Sequence, residues 1–208
     1  YPLGDGGSWD KVTDDLLRKY NVFMFNQKLS KNNFVAKEFW SQPLLQKYEE
    51  EYLKIKEERK SPLFSLLSDK EASIITFYTS AENNMVINDY IRLREEKRIR
   101  LNPFLEKAVR VLNNSLKKLP PYEGVTYRGQ GGWKGFGELK VGNQFKSKAF
   151  LSSSKDVPFN GEFQLIMKGL SGRHIQAFSM KPEQNEVLFL KSSRFRIISI
   201  DKSEGKVI

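Results

Sequence analysis

The chain has 208 residues, of which 39% are hydrophobic and 29% charged, and this balance excludes a disordered protein. It has no cysteine and one histidine, His174, which excludes disulfides, thiolate zinc sites and metal sites built from several histidines. The formal net charge of +10 divides into about −2 over residues 1–90 and about +12 over residues 91–208, and no apolar run approaches the ~20 residues of a membrane span.

The first 120 residues predict helices, because apolar residues recur at helical spacing between residues that cap or break a helix. In chain order the predicted helices are 9–20 with Ser8 as N-cap, 44–60, one that begins near Ser68, 85–96, and one from Asn102 to Pro120. The last begins with an asparagine that suits the N-cap and a proline that suits the first helical position.

After Pro121 the pattern changes to short apolar runs separated by glycine, serine, asparagine and proline, which predict strands. The predicted strands are 125–128, 144–151, 163–167, 174–179, 186–190 and 195–200. Helices followed by strands, without alternation, predict an α+β fold in which a helical N-terminal half packs on a sheet. His174 falls in a turn that enters a strand, where a structural or solvated histidine is expected.

Polar side chains stand at the ends of two of these strands. Arg128 precedes Gly129, where the backbone can approach a ligand closely, and a guanidinium fork suits a diphosphate. Ser152 and Ser154 share one face of the next strand, whereas Ser153 points to the other. Each motif alone is more often a surface arginine or a serine that caps a turn, so only their combination indicates a functional site.

Gln184 and Glu186 lie two positions apart at the start of a later apolar strand. In an extended segment such residues point to the same side and could face one cleft. A carboxylate at a buried edge can stabilise the positive charge that develops on a sugar carbon during glycoside cleavage. It needs a second group to hold it in place, and a serine hydroxyl would serve.

Taken together, segments of this chain resemble the arginine-serine-glutamate class of mono-ADP-ribosyltransferases, in its clostridial-toxin-like branch. The segments that carry the resemblance are 75–80, 87–92, 125–129, 150–154 and 174–189. One departure is Ser153, which stands where the family usually has threonine. The resemblance spans roughly residues 70–200 and implies a helical N-terminal half packed on a mixed, split β-sandwich core. It also implies one compact domain, in which a helical segment at 1–65 precedes the catalytic core at 66–208.

The resemblance also implies NAD as co-substrate, no metal, and a role for each site residue. Arg128 would bind the diphosphate, and Arg92 would contact it from the helical side. Ser152 would hold Glu186, whose carboxylate would bond the ribose 2′-hydroxyl beside nicotinamide. The implied catalytic residues are Glu186, Gln184, Ser152 and Arg128. The implied NAD-binding residues are Arg128, Gly129, Arg92, Asn88, Tyr78 and Ser152.

Gln184 takes the place where arginine-modifying members of this class carry a glutamate. A neutral amide offers no opposite charge to a guanidinium, so asparagine, glutamine or hydroxyl acceptors are favoured over arginine. Glu183 is adjacent, and a one-residue bulge in the turn would present it instead. The alternatives are an arginine-specific transferase, an NAD glycohydrolase, and a non-catalytic nucleic-acid-binding domain, for which the basic second half gives modest support.

Within this class, the absence of cysteine favours a bacterial toxin or effector over a vertebrate cell-surface enzyme that needs disulfides. We therefore expect a protein that is secreted or delivered into a target cell and acts in its cytosol on a target protein, with an immunity or delivery partner. Residues 1–65 would dock the target or shield the sheet. The glycine-rich segment 131–137 would form a flap over the site or a flexible connection.

Overall fold

The computed structural model describes residues 15–16, 18–19, 39–80, 82–99, 101–130, 140–156, 163–201 and 206–207. The chain divides into two compact units, a helical unit of residues 1–118 with 177–180 and a sheet unit of residues 119–176 with 181–208. Of the predicted helix at 9–20, residues 15, 16, 18 and 19 are described and helical. The rest of that helix and the glycine-rich segment 131–137 lie outside the described residues.

Four α-helices of the helical unit are described over their full length. They are α1 (Pro43–Glu58), α2 (Asp69–Thr79), α3 (Asn83–Glu95) and α4 (Pro103–Lys118). The predicted helices after residue 40 are therefore confirmed, with boundaries shifted by no more than two residues. α1 buries the face on which its apolar residues Leu45, Tyr48, Tyr52 and Ile55 recur, whereas α2 is buried on all sides from Ala72 to Thr79.

Two helix starts are determined by local polar contacts. The Ser68 hydroxyl accepts a hydrogen bond from the Glu71 N–H at 3.3 Å, and the Glu71 carboxylate accepts one from the Ser68 N–H at 3.1 Å. This reciprocal capping box starts α2. At α4 the Asn102 Oδ1 accepts from the Leu105 N–H at 3.0 Å. Each cap satisfies a backbone donor that has no partner within the helix and contributes about 1 kcal/mol.

Residues 177–180 belong to the helical unit although the chain enters them from the sheet unit. The Thr76 hydroxyl donates to the Phe178 carbonyl and the Arg59 guanidinium to the Ser179 carbonyl, both at 2.8 Å. The Phe178 ring is buried against Tyr52 and Phe64. The predicted strand at 174–179 is therefore wrong beyond His174, because side-chain donors take the carbonyls that a strand ladder would use.

The sheet unit contains nine short strands in its described part. They are β1 (Val125–Gln130), β2 (Gln144–Lys146), β3 (Leu151–Ser154), β4 (Phe163–Lys168), β5 (Gly172–His174), β6 (Glu186–Phe189), β7 (Arg194–Arg196), β8 (Ile200–Asp201) and β9 (Lys206–Val207). Seven form one sheet in the order β5-β6-β3-β1-β4-β9-β8, and β2 pairs with β7 in a second sheet. Only β4 and β9 run parallel, so the sheet is mixed and the predicted α+β class is confirmed.

Two predicted strands are each divided in the structure. The strand predicted at 144–151 becomes β2 and β3, because the Ser147 hydroxyl donates to the Ala149 carbonyl and its N–H to the Ser193 carbonyl. These bonds turn the chain out of one sheet and into the other. The strand predicted at 195–200 likewise divides into β7 and β8, which belong to different sheets.

Apolar side chains from both sheets pack into one buried cluster. Its members are Phe145, Leu151, Leu165, Met167, Val187, Phe189 and Ile197. The cluster holds the strand ends in fixed register, and it is at these ends that the polar motifs lie.

Candidate active site

Glu186 is the first residue of β6 and is only 4% exposed. It lies directly opposite Ser154 on β3, and Ser152 is its diagonal neighbour on the same face. The Ser152 hydroxyl donates a hydrogen bond to Glu186 Oε1. Strand pairing thus brings together the carboxylate and the hydroxyl that sequence analysis assigned to one site, 34 residues apart along the chain.

Burial raises the pKa of the Glu186 carboxyl above its ordinary value of 4.5. The Ser152 hydrogen bond and the positive charges of Arg128 and Lys181 act in the opposite direction without overcoming it. A buried carboxylate with cations at a distance is suited to stabilising positive charge on a bound molecule, because little water screens the interaction.

This shift predicts a pH-dependent effect of Glu186→Gln on stability. Because the pKa is raised in the folded state, the ionised carboxylate destabilises the fold progressively as pH rises from 4.5 through the folded-state pKa. Glutamine keeps the shape and accepts from Ser152 without the charge. Thermal unfolding followed by circular dichroism should therefore show a higher Tm for Glu186→Gln than for the parent at pH 7.5, and no difference below pH 4.

The exposed Glu183 supplies the matched control. Glu183→Gln removes a carboxylate from the turn before β6 that is not buried and so has no desolvation cost. Its Tm should therefore equal that of the parent at both pH values. Two results would contradict the burial argument. One is an equal Tm difference between Glu186→Gln and the parent at both pH values, and the other is a parent with a higher Tm than Glu186→Gln at pH 7.5.

Arg128 lies where strands β1 and β3 part. The two strands share one residue pair, Tyr127 with Ser154. Beyond that pair the Arg128 guanidinium donates to the Ser152 carbonyl at 2.6 Å. The same serine is thus held by Arg128 at its carbonyl and bonded to Glu186 at its hydroxyl, which makes Ser152 the link between the cation and the carboxylate.

The three serines of β3 make three different contacts. Ser152 faces Glu186, whereas the buried Ser153 hydroxyl donates to the Val187 carbonyl at 2.8 Å. The Ser154 hydroxyl accepts from the Asp156 N–H at 3.2 Å and stabilises the turn that follows. The alternation of faces agrees with the sequence analysis.

The backbone between Gln184 and Glu186 differs from the sequence-based expectation. Residues Pro182–Gln184 form a 3-10 turn, and Asn185 adopts a left-handed conformation with φ of 46°. The segment is therefore not extended, and the prediction that an extended backbone points both side chains to the same side is wrong. The Gln184 side chain is half-buried and makes no hydrogen bond within the described part of the chain, whereas Glu183 is exposed.

Sequence analysis missed the residues that hold this turn. Asn185 Nδ2 donates to the Asp156 carboxylate, and the Asn185 carbonyl accepts from the Lys155 N–H at 3.2 Å. Gln176 Nε2 donates to the Pro182 carbonyl at 3.0 Å. An asparagine just before a strand is a recognisable signal for a left-handed residue, because its short side chain tolerates that conformation.

The remaining predicted NAD-binding residues lie on α2 and α3 of the helical unit. Asn88 Nδ2 donates to the Tyr78 hydroxyl at 2.9 Å, which leaves the Asn88 Oδ1 buried without a partner among the described residues. Arg92 is exposed and pairs with Asp89 at 2.9 Å. Asn84 and Asn113 also have a buried Oδ1 without a partner among the described residues, so the assignment of Asn88 to NAD depends on the family resemblance.

Other kinds of site find no support in the described residues. No group of three potential ligands there could hold a metal ion, and none of the helices described is long and apolar enough to cross a membrane. His174 is half-buried beside the Tyr122 ring, and burial lowers its pKa. This half-buried position agrees with the structural or solvated histidine that its sequence context predicted.

A family model described as ADP-ribosyltransferase exoenzyme matches residues 37–207. The chain is also 30% identical, over 150 residues, to the NAD(+)–protein-arginine ADP-ribosyltransferase Tre1 of Serratia proteamaculans. The matched part is 72% of this chain and 33% of Tre1, so the chain spans about a third of the length of that relative.

Solved structures share the fold at lower sequence identity. Exoenzyme S of Pseudomonas aeruginosa, in complex with human 14-3-3 protein beta and bound to Carba-NAD, has a TM-score of 0.61 at 18% identity, covering 97% of this chain and 87% of that one. HopU1 of Pseudomonas syringae, an ADP-ribosyltransferase, has a TM-score of 0.62 at 19% identity, covering 78% and 84%. At these identities the likeness concerns the fold alone.

Proposed function

Since the chain belongs to the ADP-ribosyltransferase exoenzyme family, we propose that it is an NAD-dependent mono-ADP-ribosyltransferase. It breaks the bond between nicotinamide and ribose and transfers ADP-ribose to a side chain of a target protein. The observation that carries this proposal is the buried Glu186 carboxylate held by the Ser152 hydroxyl, with Arg128 bonded to the carbonyl of the same serine.

Each residue has a definite task in this reaction. Glu186 accepts a hydrogen bond from the ribose 2′-hydroxyl and stabilises the positive charge that develops on the sugar as nicotinamide leaves. Ser152 orients that carboxylate. Arg128 binds the diphosphate through charge-assisted hydrogen bonds, and the backbone at Gly129 leaves room for it.

The family resemblance also assigns NAD-binding roles to residues of the helical unit. The buried Asn88 Oδ1, which has no partner among the described residues, accepts from a hydroxyl of NAD, and Tyr78 orients the Asn88 amide. Arg92 contributes positive charge to the diphosphate. These assignments follow the family resemblance and are tested by the loss of NAD affinity in Asn88→Ala.

The acceptor is a side chain of asparagine, glutamine or a hydroxyl residue. Gln184 presents a neutral amide that makes no hydrogen bond within the described chain, and such an amide can orient another amide or a hydroxyl. The second candidate is an arginine acceptor, which two observations favour. Tre1 is named as arginine-specific, and the exposed carboxylate of Glu183 lies next to Gln184.

The test is incubation of the chain with isotopically labelled NAD and a target-cell lysate, followed by mass spectrometry of the modified residue. The proposal requires release of nicotinamide and ADP-ribose attached to protein. ADP-ribose found only free in solution would identify an NAD glycohydrolase, and absence of turnover would overturn the proposal.

Gln184→Ala is expected to lower transfer to protein by about tenfold or more, which corresponds to about 1.4 kcal/mol for one lost hydrogen bond in the transition state. Hydrolysis of NAD should stay within about twofold of the parent, because Gln184 orients the acceptor and not the NAD. Both rates can be measured in one reaction, as protein-bound label and free nicotinamide.

Glu183→Ala is the matched comparison. If the modified residue is arginine, and Glu183→Ala rather than Gln184→Ala removes transfer, the arginine alternative is correct. Equal loss of transfer and hydrolysis in Gln184→Ala would count against an acceptor-orienting role.

The expected setting is a toxin or effector that is secreted or delivered into another cell and acts on a protein there. An immunity partner would protect the producing cell by covering the site. Expression of the chain inside a susceptible cell, compared with its Glu186→Ala variant, tests this setting through growth arrest that depends on the carboxylate.

A further inference from the structure

A cavity of about 420 Å³ opens in the sheet unit between the end of β4 and the residues of β7. It is lined by Phe145, residues 165–171 and residues 194–198, and we refer to these residues as the apolar groove. Its floor consists of members of the buried cluster, including Met167 and Ile197. None of the residues assigned to NAD or to the acceptor lines it.

The rim of the groove exposes large apolar side chains. Leu170 is 66% exposed and Ile198 is 69% exposed, the highest values among the large hydrophobic residues described. Both line the groove. Single exposed apolar residues are common, but two at the mouth of one apolar cavity form a patch that a partner can cover with a gain in hydrophobic free energy.

The charged residues around the groove are all cationic. Lys168, Arg194 and Arg196 are exposed lining residues, and no carboxylate lines the groove. Lys146 stands directly opposite Arg194 in the ladder of β2 and β7. None of these four cations forms an ion pair in the described chain. Like charges placed opposite each other destabilise a strand pair, so an anionic partner would relieve a repulsion already present.

Met167, which lines the groove, and Glu186 point to opposite faces of the seven-stranded sheet. Tyr127 pairs with Ser154, and Ser154 pairs with Glu186, so these three side chains share one face. Thr126 pairs with Met167, and these two side chains share the other face.

We propose that the apolar groove docks an acidic peptide segment of a partner protein, which inserts a large apolar side chain into the cavity. Its carboxylates pair with Arg194, Arg196 and Lys168, and its apolar residue contacts Leu170 and Ile198. A concave site of side-chain size fits an inserted residue. A lipid bilayer contacts a protein through protruding residues and would leave such a cavity unfilled, which favours a peptide over an anionic membrane.

The test begins with a phage-displayed library of random peptides, panned on the immobilised parent chain. Selected peptides should combine aspartate or glutamate with leucine, phenylalanine or tryptophan. They are then labelled with fluorescein, and their affinity is measured by fluorescence anisotropy. Because the readout is peptide binding, its result is independent of the proposed enzymatic activity.

Ile198→Glu and Arg194→Glu are each expected to weaken binding by about tenfold or more, because each removes a central contact. Both positions are exposed, so the fold should persist, as circular dichroism can verify. Leu101→Glu and Arg110→Glu are matched controls at exposed positions of the helical unit and should bind as the parent does.

Four outcomes would overturn the proposal. They are a failure to enrich any peptide, enrichment of peptides without acidic residues, equal binding by groove and control variants, and groove-dependent binding to phosphatidylserine vesicles in place of peptides.

Discussion

Replacing Glu186 with alanine is expected to abolish nicotinamide release, lowering kcat/KM for NAD by about 10³-fold or more. Removal of one preorganised group that stabilises developing charge costs about 10²–10³-fold in other enzymes. The effect of Glu186→Ala should reach or exceed the upper end of this range, because the carboxylate is buried and, in our proposal, faces the breaking bond directly. Release of nicotinamide from NAD, followed by chromatography, measures the effect.

The control for this experiment is Glu183→Ala, which removes an exposed carboxylate from the same loop and should release nicotinamide at close to the parental rate. Circular dichroism should show that both variants are folded, and removal of a buried charge gives no reason for Glu186→Ala to unfold. A Glu186→Ala variant that turned over NAD as fast as the parent would overturn the proposed function.

The second large effect is expected at Arg128. Arg128→Lys keeps the positive charge but loses the planar fork that bonds both the Ser152 carbonyl and, in our proposal, the diphosphate. Loss of charge-assisted hydrogen bonds of about 2–3 kcal/mol lowers kcat/KM for NAD by about 10²-fold. The loss should appear largely as a higher KM, which steady-state kinetics would separate from kcat.

Arg110→Lys is a suitable control, because Arg110 is an exposed arginine on α4 of the helical unit. It should leave both constants unchanged. If Arg128→Lys retained the parental KM and kcat, Arg128 would have no part in binding the diphosphate, and the role taken from the family resemblance would be wrong for this chain.

The helices could be predicted closely because their signals are local. The start of α4 follows from Asn102 and Pro103, and the start of α2 from Ser68 and Glu71, in each case within four residues. Such caps act through backbone groups of the same turn, so their effect does not depend on distant parts of the chain. The α+β class could be predicted because the signals for helices and strands are also local in the sequence.

Contacts between distant residues explain where prediction failed. The strand predicted at 174–179 ends early because Arg59 bonds the Ser179 carbonyl from 120 positions away. Gln184 and Glu186 are not arranged as residues i and i+2 of a strand, because Asn185 between them is held in a left-handed conformation next to Asp156. No pattern within the turn indicated these partners.

By itself, then, the sequence determined the class of fold, the family and the identity of the polar residues at the strand ends. Local propensity and residue chemistry decide the class of fold and the polar residues, whereas the family follows from the resemblance of five segments to known motifs. Only the tertiary structure decided that the Ser152 hydroxyl meets Glu186, that burial raises the pKa of that carboxyl, and that Met167 in the apolar groove points to the sheet face opposite Glu186. These depend on strand register, which long-range pairing establishes.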